Sequence, residues 1–269
     1  MIDLNFKKYK RVFAFGCSFT RYIYPTYADL ISQECINARF YNLGKTGAGN
    51  SLIAYRLAEA NQRFKFDSND LVVVMWTTAF REDRFVDRTW RCYGNVYNCD
   101  YYDENFLRKY ADPNGYMIKS CAAITLGNGF IKNLPCDSLI LNGWPLFNKE
   151  YVEVLDSKYL EDLKTIYTDL NKMPISLFEY LHPDLDAKNF YLRGATYIED
   201  DGSIFKDMHP NPLASYDYLT YIGLPLTNIS YAYAVEQTKV LENLKSRQEI
   251  NNYYNNLWIE NKPYTNVLF

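Results

Sequence analysis

The chain has 269 residues, 48% hydrophobic and 23% charged, enough apolar content for one sizeable core and too ordinary a charge content for a disordered protein. Its formal net charge is −3 without any Lys/Arg-rich run, which argues against nucleic-acid binding through phosphates and favours a neutral or weakly polar small substrate. Nowhere do about 18 consecutive apolar residues occur, and the N-terminus offers no apolar stretch of signal-peptide length. No membrane span is therefore expected, and the protein is read as cytoplasmic or intracellularly assembled.

In chain order, Lys10–Phe15 is a short apolar run ending in Gly16, the pattern of a buried parallel strand entering a tight turn. A helix is predicted over Tyr27–Cys35 and a second strand over Arg39–Leu43. The glycine-punctuated turn Gly44–Asn50 then leads into a helix over Ser51–Phe64. Asp70–Trp76, apolar on both faces, is the clearest strand. This alternation predicts βαβ units and a doubly wound, mainly parallel sheet. Residues 80–116 are rich in aromatics and charges without a long period, and are read as an insertion or lid over the carboxyl edge of the sheet, with a short helix near Asp103–Tyr110. Tyr116–Leu134 is expected to be helical but interrupted at Gly127 and Gly129. A fourth strand is predicted over Asp137–Asn142 and a helix over Tyr159–Leu170, whereas Phe190–Ile198 is ambiguous. Pro212 suits the first turn of a helix over Leu213–Tyr221.

Tyr231–Trp258 reads as one long helix with an apolar stripe of Val235, Val240, Leu241 and Leu244. Tyr253, Tyr254, Leu257 and Trp258 form a separate cluster. This helix is expected either to pack on the domain or to mediate self-association. The organisation expected is one domain over 1–230 and a helical extension over 231–269.

Six cysteines (Cys17, Cys35, Cys92, Cys99, Cys121, Cys136) are scattered without a C-x-x-C pair, and there are two histidines. No zinc-ligand spacing results, so neither metal nor cofactor is expected. The cysteines are read as reduced thiols, with Cys92 and Cys99 the one nearby pair. Aromatic residues reach 17%, with 26 Tyr, 16 Phe and 4 Trp. They could offer flat faces for stacking sugars, or reflect an AT-rich coding sequence, which also accounts for the abundant Asn.

Two motifs carry chemistry. Gly16-Cys17-Ser18-Phe19-Thr20 follows the first strand and presents a serine at the carboxyl edge, where open α/β sheets bind ligands. Asp207-Met208-His209-Pro210-Asn211 precedes the last helix of the domain. A serine hydroxyl needs a base to become a nucleophile, and His209 is suited to that role with Asp207 as its orienting carboxylate. His182, also before a proline, is read as a surface or packing residue.

Together these motifs resemble the SGNH/GDSL hydrolase family, which opens with G-D-S after the first strand and closes with D-x-x-H before the last helix. The resemblance covers Val12 to about Tyr221. It implies a flavodoxin-like three-layer α/β/α fold and ester hydrolysis, commonly of an acetyl or acyl group on a carbohydrate or lipid. It places Ser18 on the nucleophile and His209 on the base. Gly47 falls on the glycine whose backbone N–H helps bind the oxyanion, alongside the N–H of Ser18.

Three positions depart from that pattern. Cys17 replaces the aspartate of G-D-S. Asp207 lies two residues before His209 rather than three, Lys206 taking the family's position, so a Ser–His dyad aided by a backbone carbonyl is the alternative. The G-x-N-D after the third strand is replaced by Trp76-Thr77-Thr78-Ala79, leaving Thr78 or Arg81 as the third oxyanion donor. The leading expectation is a serine esterase. An O-acetyltransferase using the same serine is the near alternative, and a binding or structural subunit of this shape, in a virion or on a surface, is the more distant one.

Overall fold

The computed structural model describes residues 4–98, 100–147, 157–184, 192–199 and 201–261. Cys99, and with it the Cys92–Cys99 pair, lies outside them, as do Phe190 and Tyr191 of the ambiguous segment. The same holds for the side chain of Trp258 and for residues 262–269.

Four strands form the central sheet: β1 (Arg11–Phe15), β2 (Arg39–Asn42), β3 (Asp70–Trp76) and β6 (Asp137–Asn142). Their order is β2-β1-β3-β6 and all three ladders are parallel, with Val12 opposite Phe40 and Leu71, and Val73 opposite Leu139. The chain winds outward from β1 to β2, crosses back to β3 and continues to β6. The crevice between β1 and β3 is therefore the topological switch point, where such sheets hold ligands.

Because strand side chains alternate, the sheet buries two faces. Phe13, Phe15, Val72, Val74 and Trp76 point to one side and pack on α2 (Asn50–Phe64) and α4 (Pro113–Lys132) through Leu52, Leu57, Met117 and Ile124. Val12, Ala14, Val73 and Met75 point to the other side. There they meet α1 (Tyr27–Glu34), α7 (Pro212–Tyr221) and α8 (Asn228–Asn243) through Leu30, Ile31, Tyr218, Leu219 and Ala234. The result is the expected three-layer α/β/α arrangement. The buried Glu34 carboxylate ties α1 to α8, accepting from the backbone N–H of Thr227 at 2.8 Å and from the Ser230 hydroxyl. A carboxylate at a helix N-terminus is favoured by the helix dipole. Among the described residues no helix is long and apolar enough to cross a membrane.

The structure corrects four expectations. Residues 80–116 contain an antiparallel hairpin, β4 (Arg81–Val86) and β5 (Thr89–Asn95), ahead of the short helix α3 (Glu104–Tyr110). Helix α4 is continuous through Gly127 and Gly129. Gly127 is there for close approach rather than as a break, since a Cβ on it would lie 2.4 Å from the Trp76 ring. The helix expected over Tyr159–Leu170 ends earlier, as α5 (Ser157–Ile166), and a short 3₁₀ turn follows over Thr168–Lys172.

The tail is two helices, not one. α8 stops at Asn243, and α9 (Arg247–Asn261) restarts after Ser246. Ser246 and Glu249 make a capping box: Glu249 N–H donates to Ser246 Oγ at 3.2 Å, and its carboxylate accepts from the Ser246 N–H at 3.3 Å and the Lys245 N–H at 2.7 Å. α9 then turns back so that Tyr254, fully buried, packs with Tyr24, Ala195, Leu241 and Ile250 and donates to the Gln237 carbonyl at 3.2 Å. Tyr197 of β7 (Thr196–Ile198), which pairs with β8 (Ile204–Lys206), joins the same cluster. α6 (Leu177–Leu181) ends at His182, whose ring sits edge-on to Phe178 at 5.6 Å, a packing role.

At the amino edge of the sheet, opposite the switch point, Arg11 grips the fully buried Asp70 of the neighbouring strand. Nε and Nη2 each donate to one carboxylate oxygen at 2.6 Å. Removing the guanidinium leaves a buried carboxylate with one backbone donor, from Asp67. Arg11→Ala should therefore cost about 2–3 kcal/mol, below the roughly 3–5 kcal/mol of a fully buried pair because Arg11 is partly exposed. Urea denaturation reads this directly, and a cost below about 0.5 kcal/mol would place the pair among ordinary surface bridges.

Candidate active site

Three turns meet at the carboxyl edge, one after each of β1, β2 and β3. The first carries Ser18. It closes through the N–H groups of Thr20 and Arg21, both donating to the Cys17 carbonyl at 3.0 and 3.2 Å. Cys17 turns inward and is buried among the core residues of the α1 face, while Ser18 keeps 6% of its surface exposed. Asn42, the last residue of β2, joins the first two turns. Its amide donates to the Thr20 carbonyl at 2.8 Å and its oxygen accepts from the Gly44 N–H at 3.2 Å.

Asn50, opening α2, ties the second turn to the third. It exchanges two hydrogen bonds with the backbone of Thr77, Nδ2 to the carbonyl at 2.9 Å and Oδ1 from the N–H at 2.8 Å. Gly47 has φ +78, and a Cβ there would lie 2.4 Å from the Cys92 carbonyl. Only glycine fits, because the hairpin β4–β5 is laid directly on this turn. Asp83 of the hairpin locks the same region, accepting from the Gly49 N–H at 2.8 Å and the Leu52 N–H at 3.1 Å. Burial pushes the Asp83 carboxyl up from its ordinary value, and these two N–H groups oppose that rise.

His209 reaches the same edge from the loop before α7. Although only one residue separates them, the fully buried Asp207 meets it, accepting from His209 Nδ1–H at 2.6 Å and from the His209 backbone N–H at 2.9 Å. The pairing leaves Nε2 as the nitrogen able to accept a proton. The imidazole stands edge-on to the ring of Phe19, the residue after Ser18, with centroids 5.7 Å apart. The structure thus brings Ser18's turn, His209 and Asp207 to one place. Tyr22 stacks flat on the imidazole at 3.6 Å and 19°. Tyr24 donates its hydroxyl to the His209 carbonyl at 2.8 Å. The Tyr22 phenol is driven upward, first by burial and then by the Asp207 charge. Neither tyrosine is apparent in the sequence, where both belong to an unremarkable aromatic run.

Of the two candidates for the third donor, Thr78 is 3% exposed and its Oγ1 is buried with no hydrogen-bond partner among the described residues. Arg81 donates to the Ala48 carbonyl at 3.1 Å and so braces the Gly47 turn, its Nε buried and unpartnered. No carboxylate among the described residues pairs with Arg81. Glu82, its sequence neighbour, instead accepts from Tyr116 at 2.7 Å and lies by Arg84 and Lys119.

No family model and no curated protein matches this chain. Among solved structures, it is similar to a member of the lipolytic protein G-D-S-L family from Veillonella parvula. The TM-score is 0.41 at 15% identity, covering 80% of this chain and 99% of that one. It is similar also to a GDSL-like lipase from Bacteroides thetaiotaomicron, with TM-score 0.39 and 14% identity over 83% of this chain and 89% of the other.

Proposed function

We propose that the protein is a serine ester hydrolase of the SGNH kind, removing an acetyl or acyl group from a carbohydrate or lipid. The observation that carries this reading is the His209–Asp207 pair set against the turn that holds Ser18 at the sheet's switch point. Asp207 fixes the imidazole with Nε2 free, and His209 takes the Ser18 proton as Oγ attacks the ester carbonyl. The tetrahedral intermediate collapses to an acyl-Ser18 ester as the leaving alcohol regains that proton. Water, activated by the same imidazole, then releases the acid.

Charge on the former carbonyl oxygen needs preorganised donors. The backbone N–H groups of Ser18 and Gly47 supply two in this reading. Thr78 Oγ1, buried and uncommitted, supplies the third, while Arg81 holds the Gly47 turn in place through Ala48. Thr78→Val keeps the shape and removes the hydroxyl, so kcat should fall about tenfold to a hundredfold with KM little changed. An unchanged kcat would remove Thr78 from the oxyanion site and return Arg81 to consideration.

Turnover of short-chain p-nitrophenyl esters by the full chain tests the function itself. Hydrolysis well above the level of Ser18→Ala supports it, and hydrolysis equal to that level refutes it.

A further inference from the structure

Three cations, and the Asp83 carboxylate, stand near the turn that carries Gly47. Arg21 follows the Ser18 turn and lies against Gly44, and its carbonyl accepts from Thr46 Oγ1 at 3.4 Å. Lys45 sits in the turn itself, its N–H donating to the Gly16 carbonyl at 3.0 Å. Arg56 rises from the second turn of α2 and is 9% exposed, with Nε buried and unpartnered among the described residues. Burial and then the charge of Arg21 pull the Arg56 guanidinium below its ordinary value. The Cys92 thiol, raised to about 12 by burial and then by the Asp83 charge, also feels Lys45 and Arg56, so both cations lie near the hairpin backbone that covers Gly47.

Two carboxylates stand nearby, and neither forms a direct ion pair with Arg56 among the described residues, although the Glu59 charge offsets part of the effect of burial and of Arg21. Glu59 is held by Arg63 at 2.7 Å, and the oxygens of Asp83 are taken by the Gly49 and Leu52 N–H groups. Nor does any ion pair among the described residues engage Lys45. Arg56, 9% exposed and without a direct ion pair among the described residues, keeps part of its burial cost, and that cost falls when an anion arrives.

We infer that the ester substrate carries an anionic group, a phosphate, sulfate or carboxylate, and that Arg56 and Lys45 hold it beside the Gly47 turn. This goes beyond the overall charge of −3, which on its own favours a neutral substrate, and it rests on the esterase reading only for which molecule bears the anion. Planar guanidinium groups suit such oxyanions through paired N–H donors. The group would dock about one turn from the scissile carbonyl and orient it toward Ser18.

The anion site is tested separately from catalysis. Ser18→Ala protein is titrated by calorimetry with inorganic phosphate, sulfate and acetate, then again with Arg56→Gln or Lys45→Gln added. At least one anion should bind, and each added substitution should weaken it about tenfold. Lys45 is only half-buried, so its variant serves if Arg56→Gln folds poorly. Binding of none, or binding in both variants as tight as in Ser18→Ala alone, overturns the site. The second arm compares kcat/KM for 4-acetoxybenzoate with that for its neutral methyl ester. The wild-type preference for the anionic ester should shrink about tenfold in either variant, and an unchanged ratio overturns the substrate assignment. Anion binding with no turnover of either ester refutes the esterase reading and leaves the site standing.

Discussion

Ser18→Ala is expected to lower kcat/KM for a short-chain ester at least about 10⁴-fold, equivalent to about 5.5 kcal/mol of transition-state stabilisation. Cys17→Ala, one residue earlier, should keep activity within a few-fold. The contrast follows from which way each side chain turns as the strand ends. Cys17 is 1% exposed and packs among the core residues under α1, where its thiol behaves as a small apolar group. Ser18 stands at the switch-point edge beside the loop of His209. A methyl in place of the hydroxyl removes the atom that forms the acyl bond, whereas the methyl of Cys17→Ala leaves only a small cavity. Cysteine is the better intrinsic nucleophile, so the paired variants decide between the two. Inactivation by a thiol reagent on Cys17 with Ser18→Ala still active would reverse the assignment.

The second large effect concerns the base. His209→Gln should cost about 10⁴-fold in kcat, because a serine hydroxyl without a base is nearly inert at neutral pH. Asp207→Asn should cost less, about 10²–10³-fold. One oxygen, Oδ1, serves both the backbone N–H and Nδ1 of His209, and an asparagine oxygen can still accept at that point. What the amide lacks is the charge that stabilises the imidazolium. The ring also has support independent of the carboxylate, from Tyr22 stacked on its face and Tyr24 bonded to its carbonyl. Steady-state kinetics of both variants on one ester read the difference. Equal losses would mean that Asp207 fixes the tautomer absolutely, and full activity in Asp207→Asn would leave a Ser–His dyad.

The sheet was legible because its signal is local. Asp70–Trp76 and Asp137–Asn142 are apolar runs of strand length, and both match the structure residue for residue. Ser18 and His209 stood out by residue type at a strand end and ahead of a helix. The hairpin at 81–95 was missed because its strands carry Arg, Glu and Asp on both faces. Its turn residues, Asp87 and Arg88, have φ +51 and +61 without the Asn-Gly that usually marks such turns. The break between α8 and α9 was written in the chain as Ser246-x-x-Glu249, but the run of helix formers around it hid the capping box. Tyr22 and Tyr24 could not be singled out, since a stack on His209 is made by residues 187 positions apart that only the fold brings together. The cations near Gly47 are of the same kind. Arg21, Lys45 and Arg56 are far apart in sequence and vanish into a net charge of −3.

Whether Ser18 is the activated nucleophile is tested most directly by covalent labelling. The full-length protein, incubated with a fluorophosphonate and digested, should give one phosphonylated peptide with the adduct on Ser18 by tandem mass spectrometry. The adduct should form far more slowly in His209→Gln. An adduct on another residue, labelling of Ser18→Ala at the wild-type rate, or no labelling of the folded wild-type protein would contradict it.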